Sequence, residues 1–189
     1  VVWFLGDLVD SQSYNRVLHR DGTGIQPVQL SSRVGDAATR QSFVLFDPRD
    51  YGHAIVQPFR GAAQGGLVTT KVFEYIRAEL PEETKAQVAL AYESGDPVIV
   101  TDNAHRGRVA VVTTSADIEW TNWPFWPSYV PVMNELVNYV VADRHRDHST
   151  LVGQTLTASV PPAALEIPVT VELPNKQTVI RRVPPRDDV

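Results

Sequence analysis

The sequence predicts an α/β chain with an antiparallel meander at its centre, followed by a small all-β segment. Three observations predict it. Residues 86–114 hold three β-branched-rich apolar runs separated by short turns, and residues 127–143 switch to a helical period. Beyond Leu151 the texture turns wholly strand-like. The boundaries that follow are 1–145 for the α/β domain and 150–189 for the start of a β-sandwich-like domain.

Val1-Val2-Trp3-Phe4-Leu5 is a continuous apolar run stopped by Gly6-Asp7, which suits a strand buried on both faces. The chain opens inside that run without an initiator Met, so it reads as part of a longer polypeptide with the first βα units missing. An unpaired strand of this kind invites pairing with another chain, and a homo-oligomer of the fragment is expected. Ser11 to His19 can be helical, with Tyr14, Val17 and Leu18 on one side. Asp21-Gly22-Thr23-Gly24 is a turn cluster. Ile25 to Leu30 reads as a short strand interrupted by Pro27, and Ser31 to Gln41 as a polar stretch. Ser42 to Phe46 is the next strand. His53 to Phe59 suggests one helical turn, and Phe73 to Glu79 a strand, bounded by Gly65-Gly66 and Pro81.

Ala86–Tyr92, Pro97–Thr101 and Arg108–Thr114 are joined by connections too short for crossovers, hence antiparallel hairpins. From Pro127 to Asp143, Val130, Met133, Leu136, Val137, Val140 and Val141 recur at three- and four-residue steps, an amphipathic helix with these residues inward. Gln154–Val160, Pro168–Leu173 and Thr178–Val183 are strand-like. Three strands are too few to bury a good core alone.

Composition narrows the function classes. The 189 residues carry 17 Lys+Arg against 22 Asp+Glu, a net charge of −5, which argues against a nucleic-acid binder held by phosphate contacts. No apolar run approaches the ~20 residues that span a bilayer. With no cysteine there is no disulfide, thiolate nucleophile or Cys-based zinc site.

Several residues could carry chemistry. Asp7, with Asp10 nearby, follows the first strand, where α/β sheets place ligands, although a turn-forming Asp is the simpler reading. No phosphate-binding glycine motif accompanies it, since Gly22-x-Gly24 lacks the third glycine. Ser115 ends another strand and is the best-placed hydroxyl, with Asp117 beside it. The nucleophile-elbow signature is missing, and nothing in the sequence pairs Ser115 with His19, His53 or His105. Asp143, His145, Asp147 and His148 could touch a metal, but a solvated helix terminus explains them more simply. Trp120, Trp123 and Trp126 with Phe125 form an aromatic cluster, either a glycan or peptide platform or a plug for the sheet end. The binding candidates are therefore Asp7, Ser115, Asp117, Trp120 and Trp123, with no cofactor and no metal implied.

The strings Gly95-Asp96-Pro97, Gly107 to Asp117, Trp120-Thr121, Trp126 to Pro131 and Leu136-Val137-Asn138-Tyr139 together resemble the class I glutamine amidotransferase-like domain of bacterial aerotolerance-operon-type membrane proteins, which accompanies von Willebrand factor A-like domains. The resemblance covers roughly residues 1–143. It implies a flavodoxin-like three-layer fold and a soluble location on the extracytoplasmic, periplasmic side of a membrane. The family's Cys-His-Glu triad cannot be carried over, because the chain has no cysteine. The expectation is a non-catalytic interaction or scaffold module contacting other protein domains, without nucleic acid, reaching a membrane only through other parts of the parent. The alternative is a hydrolase or ligand-binding domain using Ser115, Asp117 and the Trp cluster.

Overall fold

The computed structural model describes residues 1–47, 51–61, 66–82, 84–103, 107–142, 168–172 and 177–182. The chain divides into two compact units, Val1–His145 and Arg146–Val189.

In the first unit, β1 (Val2–Phe4) leads into a short helix α1 (Ser11–Tyr14) that continues as a π-helical segment, Asn15–His19. Strands β2 (Gln29–Gly35), β3 (Val44–Asp47), β4 (Lys71–Val72), β5 (Glu74–Glu79), β6 (Gln87–Tyr92), β7 (Pro97–Asp102) and β8 (Val109–Val112) follow, then helix α2 (Tyr129–Val141). Six strands form one mixed sheet in the order β1-β8-β7-β6-β3-β4, and β2 pairs with β5 in a separate two-stranded sheet. In the second unit β9 (Pro168–Glu172) and β10 (Thr178–Arg182) pair antiparallel; the expected strand Gln154–Val160 lies outside the described residues.

This architecture corrects the flavodoxin-like three-layer expectation. The first unit is mostly β, with only two short α-helices among its described residues. In its large sheet only the β1–β8 pair is parallel; the β8–β7, β7–β6, β6–β3 and β3–β4 pairs are antiparallel. The reason is in the connections. Parallel neighbours need crossovers of a dozen or more residues, usually helical, whereas β6, β7 and β8 are linked by tight turns. The meander anticipated from those turns is present, with Ile99 opposite Val112 and Val100 opposite Val111.

Both faces of the central strands are buried. On one face Ile99, Ala110 and Val112 join Phe46, Trp123, Val132 and Leu136 in a core, with Val2 and Phe4 packed against it. On the other, Val100 and Val111 meet Leu5, Leu30, Ile76 and Trp120, so the second layer there includes the β2–β5 pair rather than helices alone. The strand observed at Gln29–Gly35 starts where the expected Ile25–Leu30 strand ends and runs into the supposed polar stretch. Its outer edge is blunted at Leu30. The Asn15 side-chain amide donates to Leu30 O at 2.7 Å, and Asn15 Oδ1 accepts from Leu30 N at 2.8 Å. That pairing imitates a strand neighbour and satisfies two edge groups.

Helix α2 buries Val132 and Leu136, with Tyr129, Met133, Tyr139 and Val140 packed around them. Val130 and Val137, expected inward, are 63% and 55% exposed. At ~100° per residue the apolar arc from Tyr139 to Val130 covers roughly 180°, wider than the stripe needed to seat on a sheet.

His53 links the turn before the 3₁₀ segment Gln57–Phe59 to the sheet. Its Nδ1 accepts from Ile55 N at 3.2 Å and its Nε2 lies 3.1 Å from Thr101 Oγ1, whose hydroxyl donates to Gln87 O. Both bonds use the neutral Nε2–H tautomer, and burial together with the Arg108 charge lowers the His53 pKa below its ordinary value. The unfolded chain therefore takes up this proton more readily than the folded one. Stability is expected to be fully present above about pH 6.5 and to fall as the pH drops from there toward the lower folded pKa. Denaturant midpoints measured from about pH 7.5 to 5.5 check this, and His53→Gln should flatten the slope.

Candidate functional site

The sheet ends where β1 and β8 stop bring four of the five sequence candidates together, but in structural roles. Trp120 is 1% exposed and sits in the core facing β2–β5. Its Nε1 donates to Asp7 Oδ1 at 2.9 Å, and its backbone N donates to Ser115 Oγ at 3.2 Å. Trp120 O accepts from Phe73 N at 2.7 Å and from Glu74 N at 3.3 Å. Arg33 of β2 lies over the same indole, 5.2 Å from the ring centroid, and bridges Asp7 and Glu74 at 3.7 and 3.3 Å. One tryptophan thus ties the ends of β1 and β8 to the start of β5.

The Ser115 hydroxyl is drawn into the turn that leads to Trp120. Its Oγ accepts the Trp120 amide proton and donates to Asp117 O at 3.4 Å, while Asp117 Oδ1 accepts from Glu119 N at 3.0 Å. The described histidines are engaged elsewhere, His53 with Thr101 and His19 Nδ1 with Gln26 O at 3.0 Å. His105, and the cluster of Asp143, His145, Asp147 and His148, lie outside the described residues. Among the described residues, no group of three or more His, Asp or Glu could hold a metal ion. Asp10 caps α1 by accepting from Ser13 N at 3.1 Å; the Ser13 hydroxyl and amide hold its carboxyl below the usual range. Asp96 accepts from the Tyr75 hydroxyl and from Arg77 Nε, and burial pushes the Tyr75 phenol up.

The fifth candidate, Trp123, is completely buried in the opposite core. It meets Phe46 edge-on at 4.8 Å and donates from Nε1 to Ser128 Oγ at 3.3 Å. Neither Trp120 nor Trp123 offers a ring face to a ligand. Phe125, 75% exposed, is the member of that cluster on the surface.

Several concavities lie elsewhere on the described surface, one of about 330 Å³ beside His19, Gln29 and Glu79. An open cavity of about 420 Å³ is lined by Asp21, Gln26, Thr84, Lys85 and Asp102, polar and of mixed charge. A groove of about 120 Å³ is lined by Val34, Phe43, Val44, Val72, Phe73 and Tyr75, where the end of β2 approaches the start of β3. Gly35 brings the end of β2 against Phe73. Its φ is 97°, and a Cβ there would fall 2.0 Å from Phe73 O. Phe43 stands at the surface, 46% exposed, with Lys71 Nζ 4.4 Å from its ring centroid; Arg40 lies 4.9 Å from the centroid of Phe73. Sequence reasoning placed Phe43 and Phe73 in strands without assigning them a site. The available signal was an aromatic residue beside the polar run 36–42, which does not reveal that a second aromatic, thirty positions on, completes the groove.

No protein-family model and no curated protein matches the chain. Among solved structures it is similar to Cytoplasmic Protein STM1381 from Salmonella typhimurium LT2, with a TM-score of 0.56 and 18% identity, covering 74% of this chain and 54% of that one. Cytoplasmic Protein STM3548 from Salmonella typhimurium gives a TM-score of 0.48 at 18% identity, covering 66% of this chain and 44% of that one. The chain thus spans about half the length of the first, and that likeness bears on the fold alone. The first is described as cytoplasmic; the extracytoplasmic, membrane-associated placement came with a flavodoxin-like resemblance that the sheet topology overturns, and that placement is not retained. Among the described residues no helix is long and apolar enough to cross a membrane.

If Trp120 is the tie between the sheets, Trp120→Ala should lower the unfolding free energy by about 3–5 kcal/mol, the usual cost of deleting a buried aromatic. Equilibrium denaturation measures it. A variant that unfolds like the parent would return Trp120 to the list of surface binding residues.

Proposed function

We propose that the chain works as a protein-interaction module. The observation that supports this reading is the Phe43–Phe73 groove, an apolar recess with an exposed aromatic at its lip. Aromatic side chains with few rotors are favoured anchors at protein interfaces, where they contribute large contact area at small entropic cost. The residues that would carry hydrolysis are spent differently. Ser115 holds the Trp120 amide, and Asp117 shapes the turn between them. The partners on this reading are other protein domains, met through side-chain docking rather than through a reactive centre.

The competing hydrolase reading is separated by assay. The chain and its Ser115→Ala variant are incubated with generic ester, amide and glutamine substrates. The interaction reading expects no turnover that depends on Ser115; turnover abolished by the substitution would contradict it.

A further inference from the structure

Two adjoining cavities open beside the loop that follows the π-helical segment Asn15–His19. One, of about 420 Å³, is lined by Asp21, Gln26, Thr84, Lys85 and Asp102 among others. The second, of about 330 Å³, takes in His19 and Glu79, and Asp21, Gly22 and Pro81 belong to both. The larger falls in the ~300–1,000 Å³ range of small-molecule sites. Backbone bonds tie the loop to the helical segment. Gly22 N and Gly24 N donate to His19 O at 3.1 and 2.8 Å, and Gln26 N donates to Leu18 O at 3.0 Å. Gly24 runs so close to the segment that a Cβ would fall 1.9 Å from Leu18 O.

Two deeply placed acceptors reach this space. Gln26 is 2% exposed; its Nε2 donates to Val28 O at 2.8 Å, and no described group donates to its Oε1. His19 is 5% exposed, with Nδ1 3.0 Å from Gln26 O. A carbonyl only accepts, so Nδ1 carries the proton, and the neutral ring leaves Nε2 as an acceptor with no described donor. Neither atom is sealed in the core, so each opens to the cavity that its residue lines. A polar atom set this deep without a protein partner is satisfied by what fills the cavity.

The charges around these acceptors carry both signs. Asp21 and Glu79 are exposed carboxylates and Lys85 an exposed ammonium, and none of them forms an ion pair with a described residue. The Arg20 side chain, next to Asp21, donates to Val17 O. Asp102 is 8% exposed and has its own partner within the chain. The Thr84 hydroxyl oxygen accepts from Ala86 N at 3.1 Å, which leaves its proton to donate. A cation would suit Asp21 and Glu79 but meet Lys85; an anion would suit Lys85 but meet two carboxylates. A neutral ligand whose groups both donate and accept answers all of them. Hydroxyls do this: their protons go to Gln26 Oε1, His19 Nε2 and the carboxylates, and their oxygens accept from Lys85 and Thr84. Pro27 and Pro81 offer apolar surface to the C–H face of a ring. We infer that these adjoining cavities bind a small neutral sugar, a mono- or disaccharide. The site shares no lining residue with the Phe43–Phe73 groove and does not rest on the interaction reading. With the His19 imidazole as the one ring among its lining residues, hydrogen bonds carry the affinity, and it is modest.

The test titrates the whole isotope-labelled chain with glucose, galactose, mannose and maltose, and with glucosamine and glucuronate as charged counterparts. Backbone amides and the His19 ring nitrogens are followed by NMR. The expected result is a saturable shift of the Arg20, Gln26, Glu79 and Lys85 amides with at least one neutral sugar, together with a change at His19 Nε2. Glucosamine and glucuronate should bind severalfold more weakly than that sugar. Gln26→Met removes Oε1 at similar volume and should weaken the neutral sugar at least tenfold. Lys85→Ala, at an exposed position, should weaken it severalfold and keeps the test open if thermal melts show that Gln26→Met fails to fold. The inference is overturned by no saturable shift with any of the four neutral sugars, or by shifts confined to another surface. It is equally overturned if a charged counterpart binds more tightly, or if the folded variants bind the sugar as the parent does.

Discussion

Trp120 is the constraint on which the first unit depends. A six-stranded sheet and a two-stranded sheet have no backbone ladder in common, so something must fix their relative position. The indole does this from the loop after β8. It fills the space between Leu5, Leu30, Ile76 and Val111 while its N–H reaches Asp7 at the end of β1. Its carbonyl accepts from the first residues of the β5 region, and its amide is held by Ser115. Two further bonds run the same way: Ile76 N donates to Thr113 O, and Thr114 Oγ1 donates to Glu74 O. The polar residues at the strand ends therefore satisfy one another in a site where an unmet buried donor would cost about 1–3 kcal/mol.

That clamp has a consequence for the surface. Phe73 is fixed on both backbone sides, its N–H on Trp120 O and its carbonyl on Asp36 N. Gly35 brings β2 against it more closely than any residue with a Cβ could. The aromatic wall of the groove is thus set from inside the protein, and Phe43 closes the opposite side.

Parts of this were legible in the sequence. The β6–β7–β8 meander follows from turn lengths, β1 from an apolar run stopped by Gly6-Asp7, and α2 from its period. The fold class was not legible, because it depends on partners distant in the chain. Nothing local says that β1 pairs parallel with β8, or that β2 pairs with β5 some forty residues on. Strand β2 hides in a polar stretch because only Leu30 is buried and Val34 half-buried along it, too sparse an alternation to read. On α2 the opposite problem arises. Val130 and Val137 continue the apolar period beyond the face that the core uses, so periodicity alone places them inside. The candidates Asp7, Ser115 and Trp120 meet at the strand ends, but a residue type at a strand end does not distinguish a reactive group from a clamp. What the structure adds is the pair of hydrogen bonds that join them.

The central claim is that the two sheets form one cooperative unit through Trp120, and native-state hydrogen exchange tests it most directly. The amides to follow are those of Ile76 and Ala78 in β5 and of Val100 and Val111 in the meander, all buried in the shared core. The account predicts that both sets exchange through the same global opening, with the same dependence on denaturant. Exchange of the β5 amides through a separate, lower-energy opening, while Val100 and Val111 stay protected, would contradict it.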